Sequence, residues 1–135
     1  MRREPKWLTL EAVLAMHEQL VAEHGGDFGA RNLGLLESAL AGPRHHYAYG
    51  ECDIFVLAAA YAYGATRNHP FIDGNKRTAF LAAYTFLGIN GWELNAPEEQ
   101  VVQMVVGLSD RSVLAEAFAE WLRTACRKPR RRKTQ

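Results

Sequence analysis

Cysteine is scarce in this chain of 135 residues, with only Cys52 and Cys126 present. Two cysteines so far apart share no metal-ligand spacing, and a disulfide would need an oxidising compartment that nothing else in the sequence indicates. Long apolar runs are missing too. The longest, Ile54–Tyr63, falls far short of the ~20 residues that cross a bilayer. The charged start Met1-Arg-Arg-Glu-Pro-Lys6 leads into no apolar stretch of signal-peptide type. These absences point to a cytoplasmic protein with reduced thiols and no membrane partner. Internal repeats and strand-rich stretches are absent as well, which excludes solenoids and sandwiches.

What remains is ordinary for one globular domain: 48% hydrophobic and 23% charged residues. Charge is unevenly spread. Residues 1–125 hold all 15 acids but only ten of the 16 lysines and arginines; the last ten residues hold the other six. The expectation is a folded domain over residues 1–125 and a basic, disordered tail over 126–135. Nucleic-acid contact is the sharper reading of that tail, but it carries no interleaved aromatic residue.

The periodicity is helical almost throughout, giving an all-α compact bundle of about six helices. A first helix begins at a Thr9 cap, with Leu8 and Val13 placed as a staple, and ends at Gly25-Gly26. Its inner face is Val13, His17, Leu20 and Val21. A short second helix spans Leu33–Leu40 and is closed by Gly42-Pro43, leaving Arg44–Glu51 as an exposed loop. A third runs from a cap at Asp53 to Asn68. The fourth, from Asn75 to Ile89, is apolar nearly all round and reads as the central buried helix. Trp92-Glu93-Leu94 is briefly extended. Pro97 suits the first position of a fifth helix that reaches Leu108. The last spans Arg111–Arg127 and buries Leu114, Phe118, Trp121, Leu122 and Ala125.

One polar segment interrupts the two most apolar helices: His69-Pro-Phe-Ile-Asp-Gly-Asn-Lys-Arg77. Pro70 disfavours helix at His69, and Gly74 permits a sharp turn. The next helix then starts with unpaired N–H groups that attract anions. Asn75, Lys76 and Arg77 add donors and two positive charges at the same place. His69 can take a proton from a hydroxyl near neutral pH. Asp73 is a natural oxygen ligand for magnesium beside a polyphosphate, and Phe71 is an anchor between them. Phosphoryl and nucleotidyl transfer need little beyond positioning, charge neutralisation and a base. The bland alternatives are a helix-ending histidine, a turn aspartate and a solvated first turn. Cations at a helix start are unfavourable without an anion, which weighs against the last. His45 and His46 have no third ligand and read as loop residues; His17 and His24 read as packing or boundary residues.

The segment resembles the signature of the Fic/Doc superfamily, H-P-F-x-(D/E)-G-N-G-R-x-x-R. With Lys76 in place of the second glycine it resembles the death-on-curing (Doc) branch, the toxins of toxin–antitoxin pairs. Leu8–Gly26, Gly34–Leu40 and Thr78–Gly91 also look like the corresponding parts of Doc proteins, so the likeness covers residues 7–123. It implies that His69 is the catalytic base and Asp73 the magnesium ligand. Gly74 and Asn75 supply the backbone and side chain of the anion hole, Arg77 binds phosphate, Lys76 is the branch-specific residue and Phe71 is the structural anchor. ATP and Mg2+ are the implied cofactors. The implied activity is transfer of the ATP γ-phosphate to a protein hydroxyl, with elongation factor Tu as the target and growth arrest as the result. A Phd-like antitoxin is the implied partner, and Arg44–Glu51 the implied flap.

Adenylyl-transferring members carry glycine at the position of Lys76 and a second arginine at that of Phe80; both departures speak against adenylyl transfer, the nearest alternative. Gly74 keeps the Fic-like residue. An inactive antitoxin-binding module is the alternative of a different class. Self-inhibited relatives carry (S/T)-x-x-x-E-(G/N); Ser112–Glu116 followed by Ala117 is only a chance near-match, which favours control by a separate antitoxin.

Overall fold

In the computed structural model, which describes residues 3–129, the chain forms α1 (Leu10–His24), α2 (Leu33–Ala48), α3 (Ile54–Asn68), α4 (Asn75–Ile89), α5 (Glu98–Asp110) and α6 (Ala115–Ala125). Two short strands, β1 (Glu93–Leu94) and β2 (Cys126–Arg127), complete it. No helix among the described residues is long and apolar enough to cross a membrane.

Capping side chains set the starts of three helices. The Thr9 hydroxyl accepts the Ala12 N–H at 3.1 Å, with Leu8 and Val13 both buried around the cap. Asn32 accepts the Leu35 N–H at 3.2 Å and starts α2. Asp53 accepts the Phe55 N–H at 2.9 Å and starts α3.

The core lies around α3, which packs most extensively on α4, α2 and α6. Phe55, Leu57, Ala58, Tyr61, Ala62 and Ala65 are buried on it. Gly64 lets α2 approach: a Cβ there would come within 3.1 Å of the Ala39 Cα. The α4 helix is the inner partner, burying Ala79, Ala82, Ala83, Phe86 and Leu87. It is not buried all round, because Tyr84 and Ile89 are exposed.

Three boundaries differ from the sequence reading. Helix α2 continues through Pro43 to Ala48 instead of stopping at Leu40. A mid-helix proline costs ~3 kcal/mol in isolation, but here the proline is buried and two side chains of the exposed turn beyond it lean on Trp7. The Tyr47 ring meets Trp7 edge-on at 5.7 Å, and the Arg44 guanidinium lies 5.6 Å over Trp7. Residues 44–48 are therefore helix and not loop, and Arg44–Glu51 is exposed as expected apart from the half-buried Tyr47 and Glu51.

The final helix starts at Ala115, not Arg111. Arg111 adopts a left-handed conformation (φ 74°) that closes α5. The Val113 N–H folds back to the Gly107 carbonyl at 3.0 Å, so Leu114 is exposed. Pro97 caps α5 from one position outside it.

The folded body also extends past residue 125. Leu94 pairs with Cys126 and Glu93 with Arg127 in an antiparallel ladder, and the Lys128 ammonium lies 5.4 Å over Trp92. Residues 130–135 of the expected tail lie outside the described residues.

Candidate active site

The connection from α3 to α4 is built from the inside outward. Phe71 is buried and stacks flat on the buried His17 ring, with centroids 3.8 Å apart and planes 6° apart. The His17 Nε2 lies 2.7 Å from the Asp73 carbonyl oxygen, which can only accept, so the Nε2–H donates there. Asn75 completes the inner clamp. Its Oδ1 accepts the Phe71 N–H at 3.0 Å, and its Nδ2 donates to the Phe71 carbonyl at 2.9 Å. Ala30 forms a β-bridge with Phe71 on the outer side, and the Ile72 N–H donates to Gly29 at 3.3 Å.

This scaffold turns the chemical groups outward. His69 ends α3 in a left-handed conformation (φ 46°, ψ 58°), unusual for a residue with a Cβ. Gly74 takes φ 77° just before α4, which a glycine does without strain. The first α4 turn closes with the Thr78 N–H on the Gly74 carbonyl, and no side chain caps the helix. The N–H groups of Asn75, Lys76 and Arg77 are thus left for an outside acceptor.

His69, Asp73, Gly74, Asn75, Lys76 and Arg77 all line one cleft of about 900 Å³. Its farther walls are apolar, made by Phe80, Leu81 and Tyr84 of α4 and by Val101, Val102, Val105 and Val106 of α5. A cleft of that size accommodates a nucleotide-sized molecule.

Asp73 is exposed. Its Oδ2 has one long contact, 3.4 Å from the Asp27 N–H, so most of its acceptor capacity is uncommitted. One carboxylate suits magnesium, which keeps several waters and takes substrate phosphate oxygens. No cluster of three or more metal-ligating side chains exists among the described residues, so Asp73 and a bound phosphate would have to share the ion.

The sequence-derived set is brought together, with the anchor beneath the cleft and the rest lining it. Phe71 is the expected anchor, under the site and outside the cleft lining. The Asn75 side chain is 9% exposed and both ends of its amide are engaged by Phe71. It clamps the loop through one Nδ2 hydrogen, so its second Nδ2 hydrogen and its backbone N–H remain for an anion hole.

Three further residues were not singled out from sequence as part of this site. His17 supports the loop from α1. Gly26, at φ 117°, lies so close to Asp73 that a Cβ there would meet Oδ2 at 3.1 Å. Arg31 reaches the end of α3: its Nε donates to the His69 carbonyl and its Nη2 to the Asn68 carbonyl, each at 2.9 Å. Gly25-Gly26 had offered a signal, but only for a helix stop.

A histidine held in a left-handed turn, an exposed aspartate and an unpaired helix start with two cations, all on one cleft, form a site suited to a phosphate-bearing ligand. The chain belongs to the Fic/DOC family, whose model matches residues 7–87. Within it the likeness is to the Doc branch. The protein kinase Doc of Escherichia phage P1 is 31% identical over 115 residues, spanning 84% of this chain and 90% of that one. Toxin Doc of Mycolicibacterium smegmatis is 45% identical over 76 residues, spanning 53% of this chain and 57% of that one.

Proposed function

We propose that this protein is the toxin of a toxin–antitoxin pair, a Doc-like phosphotransferase that moves the ATP γ-phosphate to a hydroxyl of elongation factor Tu and so arrests translation and growth. The observation that carries this reading is the convergence of His69, Asp73, Lys76, Arg77 and the unpaired α4 N–H groups on one cleft.

In this reading His69 takes the proton from the acceptor hydroxyl. The freed oxygen bonds to the γ-phosphorus, the bond from that phosphorus to the β–γ bridging oxygen breaks, and ADP leaves. Charge on the moving oxygens meets the α4 N–H groups and the two cations of Lys76 and Arg77. Asp73 would hold a magnesium ion, which when bound supplies charge neutralisation between the phosphates. Lys76 fills the space that a glycine would leave for close phosphate approach, and offers a point charge instead. Phe80 supplies no second phosphate clamp. Both favour γ-phosphoryl over adenylyl transfer.

Regulation follows from the same cleft. Tyr84, Val102 and Val106 are apolar, exposed and on its walls. Such a face suits an amphipathic helix of a Phd-like antitoxin laid along α4 and α5, which would also cover the mouth at His69.

Incubation with elongation factor Tu and ATP labelled at either the γ- or the α-phosphate tests the chemistry. Label from the γ-position alone, abolished by His69→Ala, supports the reading; label from the α-position alone refutes it in favour of adenylyl transfer.

A further inference from the structure

We infer that Arg31 is a positioning residue that holds His69 in its left-handed conformation by binding the carbonyls at the end of α3. The inference rests on the reading of His69 as the base.

A helix that ends in a left-handed residue is usually closed by the N–H groups of that residue and the next one. Here the next residue is Pro70, which has no N–H. The His69 N–H shows no capping bond either, as at the cap residues of α5 and α6 and unlike those of α1, α2 and α4. The terminal carbonyls therefore need donors from elsewhere. Arg31 supplies three: Nη2 to Asn68 and Nε to His69, both at 2.9 Å, and its backbone N–H to Pro70 at 2.7 Å.

Its neighbours anchor this clip on both sides. Ala30 is bridged to Phe71, and the Asn32 N–H adds a second bond to Pro70 at 3.3 Å. Asn32 is itself the α2 cap, and the Asn68 Nδ2 donates to the Leu35 carbonyl at 2.9 Å. The start of α2 and the end of α3 are thus joined by the guanidinium together with these backbone and Asn68 bonds. Its charge also sits favourably at the negative end of the α3 dipole.

Arg31 does not line the cleft, so it does not act on the ligand. It acts on the direction of the His69 ring. Left-handed backbone at a non-glycine residue persists only where the surroundings enforce it. A reacting group displaced by ~1 Å loses as much as ~100-fold in rate.

The test compares wild type, Arg31→Ala and Arg31→Lys in two assays. The first is amide hydrogen exchange on the protein alone. Arg31→Ala should speed exchange at Phe71 and Ile72 by at least about tenfold while α1 and α6 stay unchanged. Arg31→Lys should fall between, because an ammonium cannot fork across two carbonyls. Unchanged exchange at Phe71 and Ile72 would overturn the inference.

The second assay is phosphate transfer from ATP to elongation factor Tu. For Arg31→Ala kcat should fall about 10–100-fold with KM for ATP within about twofold, and Arg31→Lys should recover part of the loss. A raised KM at unchanged kcat would overturn the inference by placing Arg31 on the nucleotide. A lowered melting temperature with unchanged kcat per folded molecule would overturn it by making the role purely structural. Absence of transfer by wild type would count against the proposed function; the exchange assay decides the clip independently.

Discussion

Replacing Asn75 by alanine separates a loop clamp from an anion-hole side chain. The native amide makes two bonds, at 3.0 and 2.9 Å, to the N–H and carbonyl of the buried Phe71. Alanine leaves both peptide groups without partners. Each unsatisfied buried group costs about 1–3 kcal/mol, and partial loosening of the loop recovers some of it, so the net loss should be about 2–4 kcal/mol. With a urea dependence of about 1–3 kcal/mol per molar for a small domain, the unfolding midpoint should fall by about 1–2 M.

Asn75→Asp refines the test. It keeps an acceptor for the Phe71 N–H, loses the donor, and gains a carboxylate at a helix start, worth about 0.3–1 kcal/mol. Its midpoint should lie between those of wild type and Asn75→Ala. The assay is urea unfolding followed by circular dichroism, with phosphate transfer measured alongside. A wild-type midpoint for Asn75→Ala combined with lost transfer would refute the clamp and return the side chain to the ligand.

Other perturbations test the frame around the site. Gly107→Ala places a Cβ 2.3 Å from the Val113 Cγ2 and should destabilise by about 1–3 kcal/mol, with Val113→Ala in the same chain relieving part of it in urea unfolding. Burial pushes the Asp53 carboxyl up, but the Arg123 hydrogen bond, the Phe55 N–H and the Arg123 charge outweigh it and hold it below its ordinary value. Its folded pKa is therefore depressed, so its stabilisation is present above the unfolded value of about 4 and fades as pH falls through the folded one. Wild type should be more stable than Asp53→Asn at pH ~6, and the gap should narrow as pH falls below ~4, as read from urea midpoints. Burial also pushes the Cys126 thiol up to about 11, so iodoacetamide at pH ~8 should leave it unmodified in the folded protein while alkylating the exposed Cys52.

Legibility in the sequence followed the range of the interactions involved. Thr9, Asp53 and Gly74 act within a few residues of themselves, and the starts of α1, α3 and α4 lie where those residues put them. Pro43 was misread because its local cost is offset by Trp7, far away in sequence, packing on Arg44 and Tyr47. The α6 start was misread because the turn at Arg111 is closed by Val113 folding over Gly107, a contact that periodicity does not carry.

The site divides the same way. His69, Asp73, Lys76 and Arg77 are contiguous in the chain and share the cleft. Arg31 and His17 reach the loop across 38 and 56 positions, and a single sequence holds no trace of such pairings. The inward turn of Asn75 was hidden as well. At a helix start an amide can serve a ligand, the preceding loop or both, and only the positions of the Phe71 N–H and carbonyl reveal the clamp.

Intact-mass measurement of elongation factor Tu, after incubation with this protein, magnesium and ATP, bears most directly on the proposed chemistry. The account predicts a gain of one phosphate per target molecule, absent with His69→Ala. A gain of one AMP would contradict it, and would mean that Lys76 does not set the orientation of the nucleotide in the cleft.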